Sequence, residues 1–276
     1  MNPVDPVTAT RCDCSFRAIA TTIHYYDFAI ARLLFCKRDQ KGCAVDSAEF
    51  DRFATEYDQL LRRSVAVTGE GPEYFHEYKI QALALLVRKR KIRSESILDF
   101  GSGVGNSTPY LRRYFPSAQL TGADVSQRSL EVAEQRFPGV TTGLQIQDNR
   151  IPVPDGAFDM IFSACVFHHI SHDEHVHWLR ELRRVTRIGG MLTIFEHNPL
   201  NPLTLRAVNT CPFDVNAHLI RAKELIARYR ESGWTDPQSQ YHLFFPHALS
   251  GLRVLEPYLS GIPFGGQYAV SAIKQS

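Results

Sequence analysis

The chain has 276 residues, 44% hydrophobic and 22% charged, enough apolar material to bury a full core. A formal net charge of +2 is too small to imply a nucleic-acid or membrane partner, which electrostatic binding would mark by a concentrated basic surface; the run Arg88 to Arg93 is the one local candidate. No segment is apolar for long enough to span a bilayer, the N-terminus lacks the order of a signal peptide, and the six cysteines have no repeated CxxC spacing; the expectation is a cytoplasmic protein with free thiols and no metal.

Residues 1–46 read as an extension distinct from the rest. They hold four of the six cysteines and a helical apolar stretch at 16–35, interrupted by Arg17, Asp27 and Arg32, suited to packing on a neighbour or a second subunit. Residues 47–93 predict a helical cap in at least two pieces, broken by Thr68-Gly69-Glu70-Gly71-Pro72 and ending in the basic run Arg88 to Arg93, where cations favour a helix C-terminus. Strands and helices then alternate: strand 97–100, helix 106–114, strand 119–124, helix 127–137, strands 142–147 and 158–164, helix 172–186, a Gly189-Gly190 turn and strand 191–195. Such alternation implies a parallel sheet with right-handed crossovers. Toward the end the pattern changes to helix 219–231, strands 241–246 and 267–273 and a short helix 249–259 between them, so one antiparallel strand is expected at the sheet edge.

The most informative segment is Ile-Leu-Asp-Phe-Gly-Ser-Gly-Val-Gly at 97–105, an apolar strand ending in glycines at 101, 103 and 105 before a helix. Backbone N–H groups at such a turn bind anions, and glycine admits a ligand close to the main chain. Asp124 ends the second strand, 23 residues after Gly101, where nucleotide-binding sheets place the carboxylate that accepts ribose hydroxyls; an acid there would also suit the helix start near Ser126. A nicotinamide-dependent oxidoreductase predicts GxGxxG, whereas Asn106 stands where its third glycine would be. A cofactor-binding assembly module without catalysis is a further alternative.

Four blocks in order, ILDFGSGVGNS, LTGADVSQRSLEVA, IQDNRIPVPDGAFDMIFSACVFHHI and LRRVTRIGGMLTIFEHNP, resemble class I S-adenosylmethionine-dependent methyltransferases of the small-molecule type over residues 95–200. FDRFATEYD at 50–58 resembles the helix that covers the cofactor in that superfamily, which brings Tyr57 toward the site. The resemblance implies an α/β, Rossmann-like three-layer sandwich with a seven-stranded, mostly parallel sheet, one antiparallel edge strand and a helical N-terminal extension. It divides the chain into the extension 1–46 and a methyltransferase domain 47–276 with an acceptor-pocket insertion at 198–218. It implies S-adenosylmethionine as cofactor and S-adenosylhomocysteine as product. The glycine loop, Gly101, Ser102, Gly103 and Gly105, would meet the amino-acid part of the cofactor, Asp124 the ribose, Val125, Asp148 and Asn149 the adenine, and Ala164 and Cys165 the methionine portion.

A sulfonium methyl is already activated, so few protein groups are obligatory beyond those that align the acceptor and exclude water. His168 and His169, just after the fourth strand, are candidate bases, and Glu196 after the fifth is a third catalytic candidate. His197, Asn198, Arg206 and Asn209, with Asp214, are candidate substrate contacts. The histidine-rich stretch His168, His169, His172, His175 and His177 reads as a solvent-facing first helical turn, not a metal centre. Expected partners are a small-molecule substrate, no nucleic acid and no membrane, in a monomer or homodimer.

Overall fold

The computed structural model describes residues 57–211 and 217–276. The expectations for the extension 1–46 and for Asp214 lie outside the described residues.

The centre of the sheet is β1 (Ser96–Phe100), whose residues Ile97 to Phe100 are all buried because helices cover both faces. To one side lie β2 (Gln119–Asp124) and β3 (Thr142–Gln145), and to the other β4 (Phe158–Ala164), β5 (Thr186–His197), β6 (Thr235–His242) and β7 (Gln267–Ile273). The order is β3-β2-β1-β4-β5-β7-β6, with β7 antiparallel to both of its neighbours. The single antiparallel strand therefore sits one place inside the edge, and β6 forms the edge itself. Chain direction across the sheet reverses between β1 and β4, which opens a crevice at the carboxyl ends of those strands.

Helices form the outer layers. α1 (Tyr57–Val65) precedes α2 (Pro72–Arg90), which has proline in its first turn and Arg88, Lys89 and Arg90 in its last, as the basic run predicted. α2 buries Ile80, Leu83 and Val87 with Ile97, Met160 and Phe195 on one face of the sheet, next to α3 (Thr108–Tyr114). α4 (Gln127–Arg136) follows β2. On the other face α5 (His175–Val185) buries Trp178, Leu179 and Leu182 against Phe100, Ile161 and Leu192, together with Leu225 and Tyr229 of α7 (Ala222–Glu231). α6 (Pro202–Asn209) follows β5, and α8 (Glu256–Leu259) lies between β6 and β7.

Two local expectations are corrected. Gly189 and Gly190 lie inside β5: the Gly189 N–H donates to the Lys274 carbonyl and the Gly190 carbonyl accepts from the Lys274 N–H, both at 2.8 Å. A Cβ on Gly190 would stand 2.6 Å from the Asp159 carbonyl, so glycine allows close strand approach, and the chain bulges here, with Gly189 at φ +79° and the β4–β5 register shifting between Phe158 and Met160. The penultimate strand runs at 235–242 in place of 241–246, because TDPQSQYH is a half-exposed edge strand with no apolar run to mark it. The expected solvent-facing histidine turn holds in part: His172 and His177 are exposed, whereas His168 and His175 are buried and His175 Nε2 lies 3.0 Å from the Ile170 carbonyl.

Asp159 joins the starts of three strands. Its buried carboxylate accepts the Glu95 and Ser96 N–H groups, each at 3.0 Å, and pairs with Arg187. Asp159→Ala leaves those donors without their acceptor and is expected to cost about 2–4 kcal/mol of unfolding free energy. Urea denaturation checks this, and a loss below about 1 kcal/mol would show that the knot is dispensable.

Candidate active site

The crevice widens into a cavity of about 300 Å³. Its floor is made by the turns after β1, β2 and β4, and its walls come from α1, α2, α6 and the segment Leu243 to Pro246.

The glycine turn is pinned to β2 by the Gly101 and Ser102 N–H groups, which donate to the Ala123 carbonyl at 2.8 and 3.1 Å. Gly101 has φ +74°, and a Cβ there would lie 2.3 Å from Val166 Cγ2, so glycine is what lets the β1 and β4 turns touch. Gly103 has φ +52° and its missing Cβ would meet nothing within 4 Å, leaving the main chain open to a ligand. Its N–H donates to Asp124 Oδ2 at 2.8 Å, while Oδ1 accepts the Ser126 N–H at 2.9 Å. Capping of α4 belongs to Ser126, whose hydroxyl accepts the Ser129 N–H at 3.0 Å. Gly101, Ser102, Gly103, Asp124, Val125, Ala164 and Cys165 all line the cavity.

Other predicted positions stand elsewhere. Gly105 packs behind the turn, where a Cβ would press on Ala133 and Phe137. Asp148 and Asn149 lie in a left-handed turn with φ 50° and 53°, exposed and off the cavity, and Ile146 lines it in their place. The side chain of Tyr57 is outside the described residues. Arg206 and Asn209 are on the exposed face of α6, whose other face contributes Leu203, Thr204 and Ala207 to the wall. Asn198 is buried and holds the chain together, donating to the Pro263 and Gly265 carbonyls at 3.0 and 2.8 Å and accepting the Leu200 N–H at 3.1 Å.

His168, His169 and His197 line the cavity and stack on one another, with ring centroids 4.2 Å apart for His168–His169 and 5.2 Å for His168–His197. Glu196 lies behind them. Its Oε1 accepts the Val166 and Phe167 N–H groups at 3.1 and 2.8 Å, and its Oε2 is 2.6 Å from His168 Nδ1. Burial pushes the Glu196 carboxyl up, but the charge and hydrogen bond of His168 outweigh that and hold it below its ordinary value. A carboxylate at Nδ1 fixes the proton there and makes Nε2 the basic nitrogen of the ring.

Three buried residues at this site escaped the sequence reading. Asp99 lies inside β1 and lines the cavity; burial, then the Asp124 charge, raise its carboxyl to about 7, with the Lys79 ammonium opposing. Lys79 comes from α2 and is 5% exposed, and Gln267 opens β7 and is 6% exposed. An acid within an apolar strand and a lysine on the apolar face of a helix are readable signals; Gln267 gives none.

With this geometry in place, comparison with known proteins points to the class. A family model described as a methyltransferase domain matches residues 98–194. Over that part the chain is similar to the class I S-adenosylmethionine-dependent methyltransferases. It is 33% identical to a demethylmenaquinone methyltransferase of Thermotoga maritima over 152 residues, 55% of this chain and 61% of that protein. It is also 33% identical to a malonyl-[acyl-carrier protein] O-methyltransferase of Legionella pneumophila over 170 residues, 59% of this chain and 52% of that protein. The chain thus spans between half and two thirds of these curated relatives. A solved S-adenosylmethionine-dependent methyltransferase from Thermotoga maritima shares the fold, with a TM-score of 0.58 at 18% identity, covering 83% of this chain and 99% of that one.

The raised carboxyl of Asp99 has a measurable sign. Because the folded chain holds this proton up to about pH 7, against an ordinary value of 3.8, stability falls as pH rises between those values. Asp99→Asn is expected to flatten the fall by about 2–4 kcal/mol between pH 4 and 7.5. Urea midpoints at both pH values check it, and parallel pH profiles of variant and parent would overturn it.

Proposed function

We propose that this protein transfers the methyl group of S-adenosylmethionine to a small-molecule acceptor by direct in-line displacement. The observation that carries this reading is that the glycine turn, the buried Asp99 and Asp124 carboxylates and the walls from α2, α6 and 243–246 bound one cavity, so donor and acceptor share a single enclosed space. Two buried carboxylates suit a guest that brings positive charge, and the open face of Gly103 suits one that lies against main chain.

S-adenosylmethionine, once bound, would supply a sulfonium-activated methyl and leave as S-adenosylhomocysteine. Gly101, Ser102 and Gly103 would hold its amino-acid portion, Asp124 would accept ribose hydroxyls, Val125 and Ile146 would flank the adenine, and Ala164 and Cys165 would lie beneath the methionine chain. Asp148 and Asn149 reach the adenine only if their turn closes over it. His168 Nε2 takes the acceptor proton where one must leave, with Glu196 as the group that orients the ring, and His169 stands beside it. His197 contacts the acceptor. Enclosure by apolar side chains favours a small molecule, and no helix among the described residues is long and apolar enough to cross a membrane.

Asp124→Ala is expected to weaken S-adenosylmethionine binding at least tenfold by deleting a charge-assisted contact worth about 1.5–3 kcal/mol. Unchanged affinity by calorimetry would remove the cofactor assignment. His168→Ala is expected to lower kcat about 100-fold or more while leaving cofactor affinity within about threefold. Near-normal turnover in both His168→Ala and His169→Ala would exclude a base role for either.

A further inference from the structure

The polar floor of the cavity has two sides. The carboxylates of Asp99 and Asp124 belong to β1 and β2, beside the glycine turn. On the other side Lys79, Cys165, His197 and Gln267 converge over the ends of β4, β5 and β7. Their mutual contacts are loose: Lys79 Nζ is 3.9 Å from Cys165 Sγ, and Gln267 Nε2 is 3.6 Å from the same sulfur and 3.5 Å from His197 Nδ1. Gln267 Oε1 is buried and has no hydrogen-bond partner, but as an acceptor it cannot serve an anion, so the amide would reach one through Nε2, whose two contacts are long. Lys79 is 5% exposed, and among the described residues no carboxylate lies within ion-pair distance of its ammonium; the negative charge that faces it comes from Asp99 through space and from the Cys165 sulfur when ionised. Burying an ammonium with so little counter-charge is costly, and an anionic ligand would offset that cost.

We propose that Lys79 and Gln267 form an anion-recognition site for the acceptor, which is an apolar-bodied molecule carrying an acidic oxygen, a carboxylate or a phenolate. The proposal rests on the methyltransferase reading and names the substrate class of that site. With strands about 4.8 Å apart, Gln267 on β7 stands three strands, about 14 Å, from the glycine turn at the end of β1. Lys79 stands between them, at the sulfur that follows β4, so it borders both the cofactor side and the acceptor side. Much of the remaining wall is aliphatic and aromatic, with Phe75, Leu203, Ala207, Phe244 and Phe245, which accepts an apolar body, although Glu70, His76 and Arg253 also line it. An acceptor that arrives as a phenol passes its proton to His168; one that arrives as a carboxylate has none to lose.

The test uses the full chain, with and without S-adenosylhomocysteine, and three probes of similar shape: 2-naphthoate, 2-naphthylmethanol and 2-naphthylmethylamine. The expected result is naphthoate binding at least tenfold tighter than the alcohol, with the amine weakest. Lys79→Met is expected to remove that preference and to leave S-adenosylhomocysteine affinity within about threefold, while Lys79→Arg, which keeps the charge, retains it. Thermal melts of both variants establish that they fold. Failure of the parent to prefer naphthoate, whether the three probes bind alike or none binds, would overturn the proposal. So would a Lys79→Met variant that loses S-adenosylhomocysteine affinity but keeps the naphthoate preference, because Lys79 would then serve the cofactor. Failure of the parent to bind S-adenosylhomocysteine would instead overturn the methyltransferase reading, and the naphthoate preference would still be measured without it.

Discussion

The carboxylate of Asp124 holds two turns at once, accepting the Gly103 N–H on one oxygen and the Ser126 N–H on the other. At the carboxyl edge of a parallel sheet each strand ends in backbone groups that have left the ladder, and these must find partners where the crevice opens. One side chain does this for the turns after β1 and β2, and the Gly101–Val166 contact brings the turn after β4 against them. The width and shape of the cavity floor follow. A carboxylate has about four acceptor sites, so holding the turns together is compatible with accepting ribose hydroxyls as well.

That arrangement concentrates charge in a buried place. Asp99 lies close enough to Asp124 for its own ionisation to be opposed, and its carboxyl stands at about 7. On the acceptor side burial pushes the Cys165 thiol up, but the charges of His197 and Lys79 outweigh it and bring the thiol down to about 7. Charge on the floor is thus mixed: the Asp99 and Asp124 carboxyls lie beneath the glycine turn, while Lys79 and His197 stand beside the Cys165 thiol and the Glu196 carboxylate beneath the ends of β4 and β5. A cationic guest would be drawn to the carboxylates and an anionic group to Lys79.

Legibility in the sequence followed the same physics. β1, β2 and β4 were readable because central parallel strands are apolar runs punctuated by glycine, and β7 was placed at 267–273 as observed. β6 was misplaced because an edge strand carries no such run, and the start of β5 was missed because its two glycines read as a turn. Of the positions assigned by resemblance, Gly101, Ser102, Gly103 and Asp124 fall on the cavity, since the backbone there fixes them, while Gly105 packs behind the turn. Asp148, Arg206 and Asn209 do not fall on it, because an exposed turn and the phase of a short amphipathic helix decide which side chains face inward. On α6 the apolar positions Leu203 and Ala207, one turn apart, held the better signal.

The acceptor side is assembled differently from the cofactor side. Its roof, the segment after β6, is clamped to α2 and to the turn before α2 by few groups. Glu256 accepts the Tyr78 hydroxyl at 2.8 Å and the Phe244 and Phe245 N–H groups at 3.0 and 3.3 Å. Arg253 donates to Glu70 at 2.7 Å and stacks 4.5 Å over Tyr74. Burial pushes the Glu70 carboxyl up, but Arg253 and His247 outweigh it and hold it below its usual value, so the clamp stays ionised. These charge-assisted bonds fix where Phe244 and Phe245 face the cavity without adding to either core. A wall held this way can change its side chains without disturbing the sheet, whereas the floor cannot change without disturbing three turns. The methyltransferase match accordingly ends at residue 194 and begins at 98, while Phe75, Lys79, Leu203, Phe244 and Gln267 all lie outside it. The walls of the cavity are thus the part of the molecule that the family pattern does not constrain.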